Sequence, residues 1–315
     1  MKNVASPCTA LVCAAFALMT QMSAHADTFG GGTTNEFTID FVNIGNTGNA
    51  ADTTGYGAVP YEYRASTYEI TQNAITKATA SGMANVSAGA WSNNQPAATI
   101  SWYEAAAFVN FLNTNSGKTA AYNLTFSGIW SMALWSSDQA WTAGGTNLYR
   151  NKDAYYFLPS ENEWYKAAYY NAAGTNYFLY PTASSTAPTA VASGTDAGTA
   201  VFVGTVTPTQ PAVVTAAGGR SPYGTMGQGG NVWEWMETAA DGTNTTSTEN
   251  RNVRGSRFGA GPNDMQSTAQ LAFGPSGEDI NIGFRVASVP EPSTYALLLL
   301  GAGAMYLWKR RQGSL

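Results

Sequence analysis

The chain is 315 residues long, enough for one large domain or two modest ones, and only 11% of it is charged while 12% is aromatic and 33 residues are glycine. Its formal net charge is −5 at pH 7, and no cluster of lysine and arginine interrupts the body of the chain, which excludes a nucleic-acid footprint. Cys8, Cys13 and His25, the only cysteines and histidine, all fall within the first 26 residues. Without that segment, disulfides, cysteine–histidine zinc sites, haem, iron–sulfur clusters, thiol–imidazole pairs and serine–histidine–aspartate triads are excluded, leaving carboxylate, carbonyl, hydroxyl and aromatic chemistry.

Residues 1–26 read as a signal peptide: a lysine at position 2, an apolar run over 10–19, and Ser23-Ala24-His25-Ala26 with cleavage after Ala26. A membrane-retained N-terminal helix is the alternative. Residues 27–36, rich in Gly and Thr, read as a flexible lead-in to a body over 37–288. A first, weakly marked helix is predicted over 71–80, ending at Ser81-Gly82. Ser101-Trp102-Tyr103-Glu104 is a capping box, followed by Ala105, Ala106, Val109 and Leu112 at helical spacing, and Asn115-Ser116-Gly117 ends that helix. Ser160-Glu161-Asn162-Glu163 is a second capping box after Pro159, leading into Trp164, Ala167 and Ala168.

Residues 181–219 read as an insertion within one domain, with Val201-Phe202-Val203 and Val213-Val214 predicting strands; two domains joined there is the alternative. After Gly230, Asn231, Trp233 and Trp235 alternate with Val232 and Glu234, the spacing of a strand with two distinct faces. Arg285 ends another strand in a domain poor in bases, which points first to a buried ion pair with a carboxylate. At the C-terminus stand Val289-Pro290-Glu291-Pro292-Ser293, a mostly apolar run over 295–308 and Lys309-Arg310-Arg311, the pattern of a short membrane segment with a cytoplasmic basic tail.

Two resemblances follow. Residues 289–315 resemble the PEP-CTERM sorting signal of Gram-negative bacteria, which implies recognition by an exosortase, release of the tail and delivery to the cell surface or extracellular matrix; a plain C-terminal anchor is the alternative. Tyr68-Glu69-Ile70-Thr71, Ile100-Ser101-Trp102-Tyr103-Glu104-Ala105, Leu158-Pro159-Ser160-Glu161-Asn162-Glu163-Trp164, Gly230-Asn231-Val232-Trp233-Glu234-Trp235, Arg254-Gly255-Ser256 and Gly283-Phe284-Arg285 occur in an order that resembles the formylglycine-generating, or sulfatase-modifying factor, family. That resemblance implies an irregular α+β fold related to C-type lectins, with few helices, short strands and long loops.

It also implies a calcium site from the carbonyls of Gly230 and Val232 and the carboxylate of Glu234, with Gly227 standing where relatives carry Asn or Asp; a purely structural Glu234 is the other reading. Formylglycine-generating members use two cysteines that bind copper. Those positions fall on Gly259 and Asp264, so no copper is expected. Ser256, Arg285, Trp233 and Trp235 mark the candidate groove. Two functions remain: a non-catalytic exported binding or structural protein, with extracellular polysaccharide or another envelope protein as its partner, or an enzyme using only carboxylates or a hard metal. For the latter, Glu161, Glu163, Glu234, Glu237, Asp241 and Asp264 are the candidates.

Overall fold

A computed structural model describes residues 25–290. Two sheets and three helices frame an otherwise irregular α+β domain. In the first sheet the strands run in the order His25–Phe29, Phe37–Ile44, Tyr63–Ser66, Ala287–Ser288 and Tyr156–Phe157, each antiparallel to its neighbour. The two ends of the domain thus meet in one sheet. Phe37, Ile39 and Phe41 turn into one core while Thr38 and Asp40 turn outward, the period of two that a half-buried strand requires, and Val42 and Ile44 pack on the opposite face.

The second sheet runs Leu271–Phe273, Arg251–Arg254, Trp233–Ala239, Ile282–Gly283, with only its last pair parallel. Trp233–Ala239 is buried on both faces, so the alternation in its sequence does not separate a wet side from a dry one. Its two carboxylates, Glu234 and Glu237, find cationic partners inside the protein instead.

Both capping boxes form. Ser101 caps Trp102–Asn115 and Ser160 caps Glu161–Tyr169, with Glu104 and Glu163 reaching back to the cap amides. Thr71 caps the weaker helix, Gln72–Ala80, by accepting from the Ala74 amide. The Trp102–Asn115 helix is apolar around most of its circumference and accordingly runs through the core. Two indoles stitch it to the second sheet: Trp102 Nε1 donates to the Met236 carbonyl at 2.9 Å, and Trp235 Nε1 to that of Ile100 at 3.0 Å. Replacing Ser101 with Ala removes both the cap acceptor and the hydroxyl that donates to Glu104 at 2.7 Å. Ser101→Ala is expected to cost about 0.5–2 kcal/mol, read as a lower urea midpoint at unchanged m-value.

Two expectations change. Residues 27–36 are not a flexible lead-in. Asp27 to Phe29 belong to an edge strand, Phe29 stacks on Phe37 with ring centroids 5.3 Å apart, and the Asp27 carboxylate is buried against Arg64 and the Tyr156 hydroxyl. The Gly/Thr composition belongs to the hairpin turn, where Gly30 adopts φ 65°. In the insertion, Thr199–Val201 pairs in parallel with Thr189–Val191, but Val214 begins a 3-10 turn over Val214–Ala216 instead of a strand. Phe202 packs with Tyr180 and Met265, and Val201 with Ala212 and Phe258, so the insertion shares the body's packing and no second domain is formed. Of the expected signal peptide over 1–26, residues 1–24 lie outside the described residues, as does the tail from 291 onward, while His25 and Ala26 stand in the edge strand. Among the described residues no helix is long and apolar enough to cross a membrane.

Candidate functional site

The Glu161–Tyr169 helix and the Trp233–Ala239 strand each bring two glutamates into the interior, and three arginines meet them. Arg150 lies between Glu163 and Glu237, donating Nη2 to Glu163 Oε2 at 2.8 Å and to Glu237 Oε2 at 2.7 Å while its plane covers the Phe157 ring. Arg254 Nε donates to Glu161 at 2.7 Å, with Tyr56 and Tyr165 against its guanidinium. Arg285 grips Glu234 with two N–H groups, at 2.5 and 2.6 Å, and Trp164 Nε1 donates to the same carboxylate at 2.7 Å. These side chains are essentially inaccessible to water.

Burial and charge pull against each other in this network. For Glu163, burial pushes the pKa up but the Arg150 guanidinium and its hydrogen bonds outweigh it, leaving the carboxyl below its ordinary value. For Glu237 the same arginine does not overcome burial, and the pKa stays raised. Glu161, Glu163, Glu234 and Glu237 are therefore saturated ion-pair partners, unlike carboxylates poised for acid–base work. Asp241 and Asp264, the other two acids singled out from the sequence, are exposed and far from forming a pair with them.

The residues of the expected groove are Ser256, Arg285, Trp233 and Trp235, and their exposures are 0, 0, 6 and 0%. They are packed interior, and the Ser256 hydroxyl has no hydrogen-bond partner. Gly259 lies in the loop that follows, where a Cβ would meet Arg257 Nη1 at 2.6 Å, and Asp264 in the 3-10 turn Pro262–Met265. Neither position offers a soft ligand for copper.

The calcium ligand set does not fit. Glu234 already accepts three N–H bonds, and the charge of Arg285 stands at hydrogen-bond distance, where a dication would be repelled. Gly227 is occupied from outside: with φ 82°, a Cβ there would lie 2.7 Å from Glu69 Oε2. Glu69, a residue to which the sequence alone assigned no role, is buried and accepts from Asn231 Nδ2 at 2.7 Å. Burial, then the charge of Glu234, push its pKa well above the usual carboxylate range. Restoring the side chain with Gly227→Asn is expected to destabilise by about 1–3 kcal/mol through overpacking, with no calcium-dependent recovery of the melting temperature. For the unsubstituted protein, EDTA is expected to leave the melting temperature unchanged.

The concave feature that the motifs did not mark is a cleft of about 200 Å³ above the Arg150 network. Tyr61 and Trp141 line it with their rings edge to face at 5.3 Å, and Ser160, Asn162 and Thr238 line it with polar side chains. The Gly144 turn closes over Pro60, a Cβ at Gly144 lying 3.4 Å from the proline ring. Of these residues only Ser160 and Asn162 lie in a recognisable motif, and there the signal is that of a helix start.

The fold is an irregular α+β scaffold of short strands and long loops, built around two capping-box helices and a glutamate-rich central strand. Residues 23–289 match the model of the sulfatase-modifying factor enzyme 1-like domain, and the chain belongs to that family. Residues 288–311 match the PEP-CTERM protein-sorting motif, which directs export and exosortase-mediated sorting at the membrane. Treponema denticola variable protein 1 superimposes with a TM-score of 0.56 at 18% identity, over 85% of this chain and 100% of that one. The crystal structure of CarF gives 0.58 at 18% identity over 80% and 99%, and PvdO from Pseudomonas aeruginosa 0.52 at 15% over 85% and 100%. At these identities the likeness is one of fold. A search of curated proteins found no match.

Proposed function

We propose that this protein is a non-catalytic member of its family, exported and sorted by an exosortase to the cell surface or extracellular matrix of a Gram-negative bacterium, where it acts as a binding or structural component. One observation carries the reading: the two positions that would hold the catalytic thiolates are Gly259 and Asp264, on a scaffold that otherwise retains the family's motif order. Supporting it, Glu161, Glu163, Glu234 and Glu237, four of the six acids singled out for a metal-free hydrolase, are each held by an arginine, so none of these four is presented as a free acid or base. The partner in this reading is extracellular polysaccharide or another envelope protein.

The test is incubation of the purified protein with a cysteine-containing sulfatase peptide, copper and oxygen, followed by mass spectrometry. No conversion to formylglycine is expected. Appearance of the aldehyde, or release of reducing sugar from an extracellular polysaccharide, would overturn the reading.

A further inference from the structure

The cleft above Arg150 is lined by groups whose hydrogen-bonding capacity is only half used. Ser160 Oγ accepts from the Glu163 amide at 3.3 Å and Thr238 Oγ1 from the Glu161 amide at 2.9 Å, which leaves each hydroxyl proton to donate outward. Asn162 Oδ1 accepts from the Gly57 amide at 2.9 Å, and its NH2 group donates to no protein acceptor among the described residues. Tyr61 donates to Glu163 at 2.7 Å and keeps a lone pair as acceptor. Three donors and one acceptor therefore converge on a space held open by a pair of rings.

The charge beneath this space decides what can enter. Arg150 is matched against two carboxylates, Glu163 and Glu237, so the floor holds no surplus positive charge and an anionic ligand gains nothing there. A cation finds both carboxylates already bonded and buried under Arg150 and Tyr61. A purely apolar ligand would leave the hydroxyl and amide donors unpaired, each at a cost of about 1–3 kcal/mol. The remaining class is neutral, rich in hydroxyl oxygens on its edges, and apolar on a face that can lie against Tyr61 and Trp141. Its size is bounded too, because a cavity of about 200 Å³ is smaller than the ~300 Å³ at which drug-sized pockets begin.

We propose that this cleft is a binding site for one ring of a neutral saccharide, with Trp141 and Tyr61 as its stacking wall and Ser160, Asn162 and Thr238 as its hydroxyl-reading wall. The inference rests on the binding reading above and assigns it a place and a ligand class. A ring held at its edges by donors and on one face by indole leaves its other ends free, as a unit inside or at the tip of a longer glycan must.

The experiment uses the full exported chain and a panel of neutral disaccharides (maltose, cellobiose, N,N′-diacetylchitobiose) beside digalacturonate, followed by isothermal titration calorimetry and saturation-transfer NMR. At least one neutral sugar is expected to bind, and Trp141→Ala and Asn162→Ala are each expected to weaken it by ~10-fold or more. Asn162 is exposed and its loss removes one bond, to the Gly57 amide, so that variant is expected to remain folded with a small drop in melting temperature even if Trp141→Ala proves less stable. Binding that both variants retain, binding confined to digalacturonate, or no binding to any neutral sugar would each overturn the assignment while leaving a non-catalytic binding protein intact. Consumption of a sugar during the titration would instead overturn the non-catalytic reading itself.

Discussion

Arg150→Ala is expected to be the most damaging single change in the domain. Removing the guanidinium leaves Glu163 and Glu237 facing each other with no counter-ion, both fully buried, and takes five hydrogen bonds from them. Breaking one buried ion pair by deleting one partner typically costs about 3–5 kcal/mol, and here a single deletion orphans two carboxylates. Against the ~5–15 kcal/mol of a typical domain, the variant is expected to be largely unfolded at neutral pH by circular dichroism.

The pH dependence distinguishes this cause from a packing loss. In the wild-type protein Glu163 has a lowered pKa, so its contribution to stability is present above the unfolded carboxyl value and is lost as pH falls through the folded one. Without Arg150 the hydrogen bonds from Tyr61, the Ser160 amide, Tyr122 and Asn147 remain, but burial and mutual repulsion, which raise both carboxyl pKa values, lose their main opponent. A raised folded pKa gives stability that is present below the unfolded value and lost as pH rises through the folded one. Arg150→Ala is therefore expected to regain structure on acidification while the wild type loses stability. A variant equally damaged at every pH would show that the arginine acts mainly through its contact with Phe157.

Arg285 and Glu234 carry the second large effect. Arg285→Met is expected to cost about 3–5 kcal/mol, because the Glu234 carboxylate then lies buried with only Trp164 Nε1 to stabilise it. Glu234→Gln alone is expected to be milder, since the amide oxygen still accepts from Trp164 while the carbonyls of Ser66 and Met226 continue to hold the guanidinium at 2.9 Å. The double variant Glu234→Gln/Arg285→Met is expected to recover part of the loss of Arg285→Met, which urea denaturation of the four-member cycle would measure as a coupling energy. Additivity of the two single effects would show that the pair is not a unit.

The helix starts were legible because a capping box is a local device: Ser160 and Glu163 satisfy each other's amides within one turn, whatever surrounds them. Arg285 was legible as a buried ion-pair arginine, since so few bases stand in this body and an isolated one at a strand end needs a carboxylate. Its partner was not. Glu234 stands 51 positions away, and in the sequence it matched a calcium-ligand pattern; only the approach of the Ile282–Gly283 strand alongside Trp233 and Glu234 brings Arg285 onto it. Glu69 was missed for a similar reason. It fills the space at Gly227 from 158 positions away, and its own neighbours in sequence carry no sign of that contact.

The cleft shows the same division. Tyr61 precedes the Tyr63–Ser66 strand, Trp141 ends the short strand Ala140–Trp141, and Thr238 comes from the bulged part of a strand, with no spacing that relates them. Legible without any fold is the chemical inventory: no thiol or imidazole over residues 37–288, two well-marked helix starts, and carboxylates without a second catalytic partner type. Composition and local hydrogen bonding need no tertiary information, because each depends on residues within one turn or on simple presence. Which acid meets which base depends on contacts between segments far apart in the chain. Arg150 reaches Glu237 across 87 residues and Arg254 reaches Glu161 across 93, and the desolvation that makes those pairs strong exists only once the chain has closed around them.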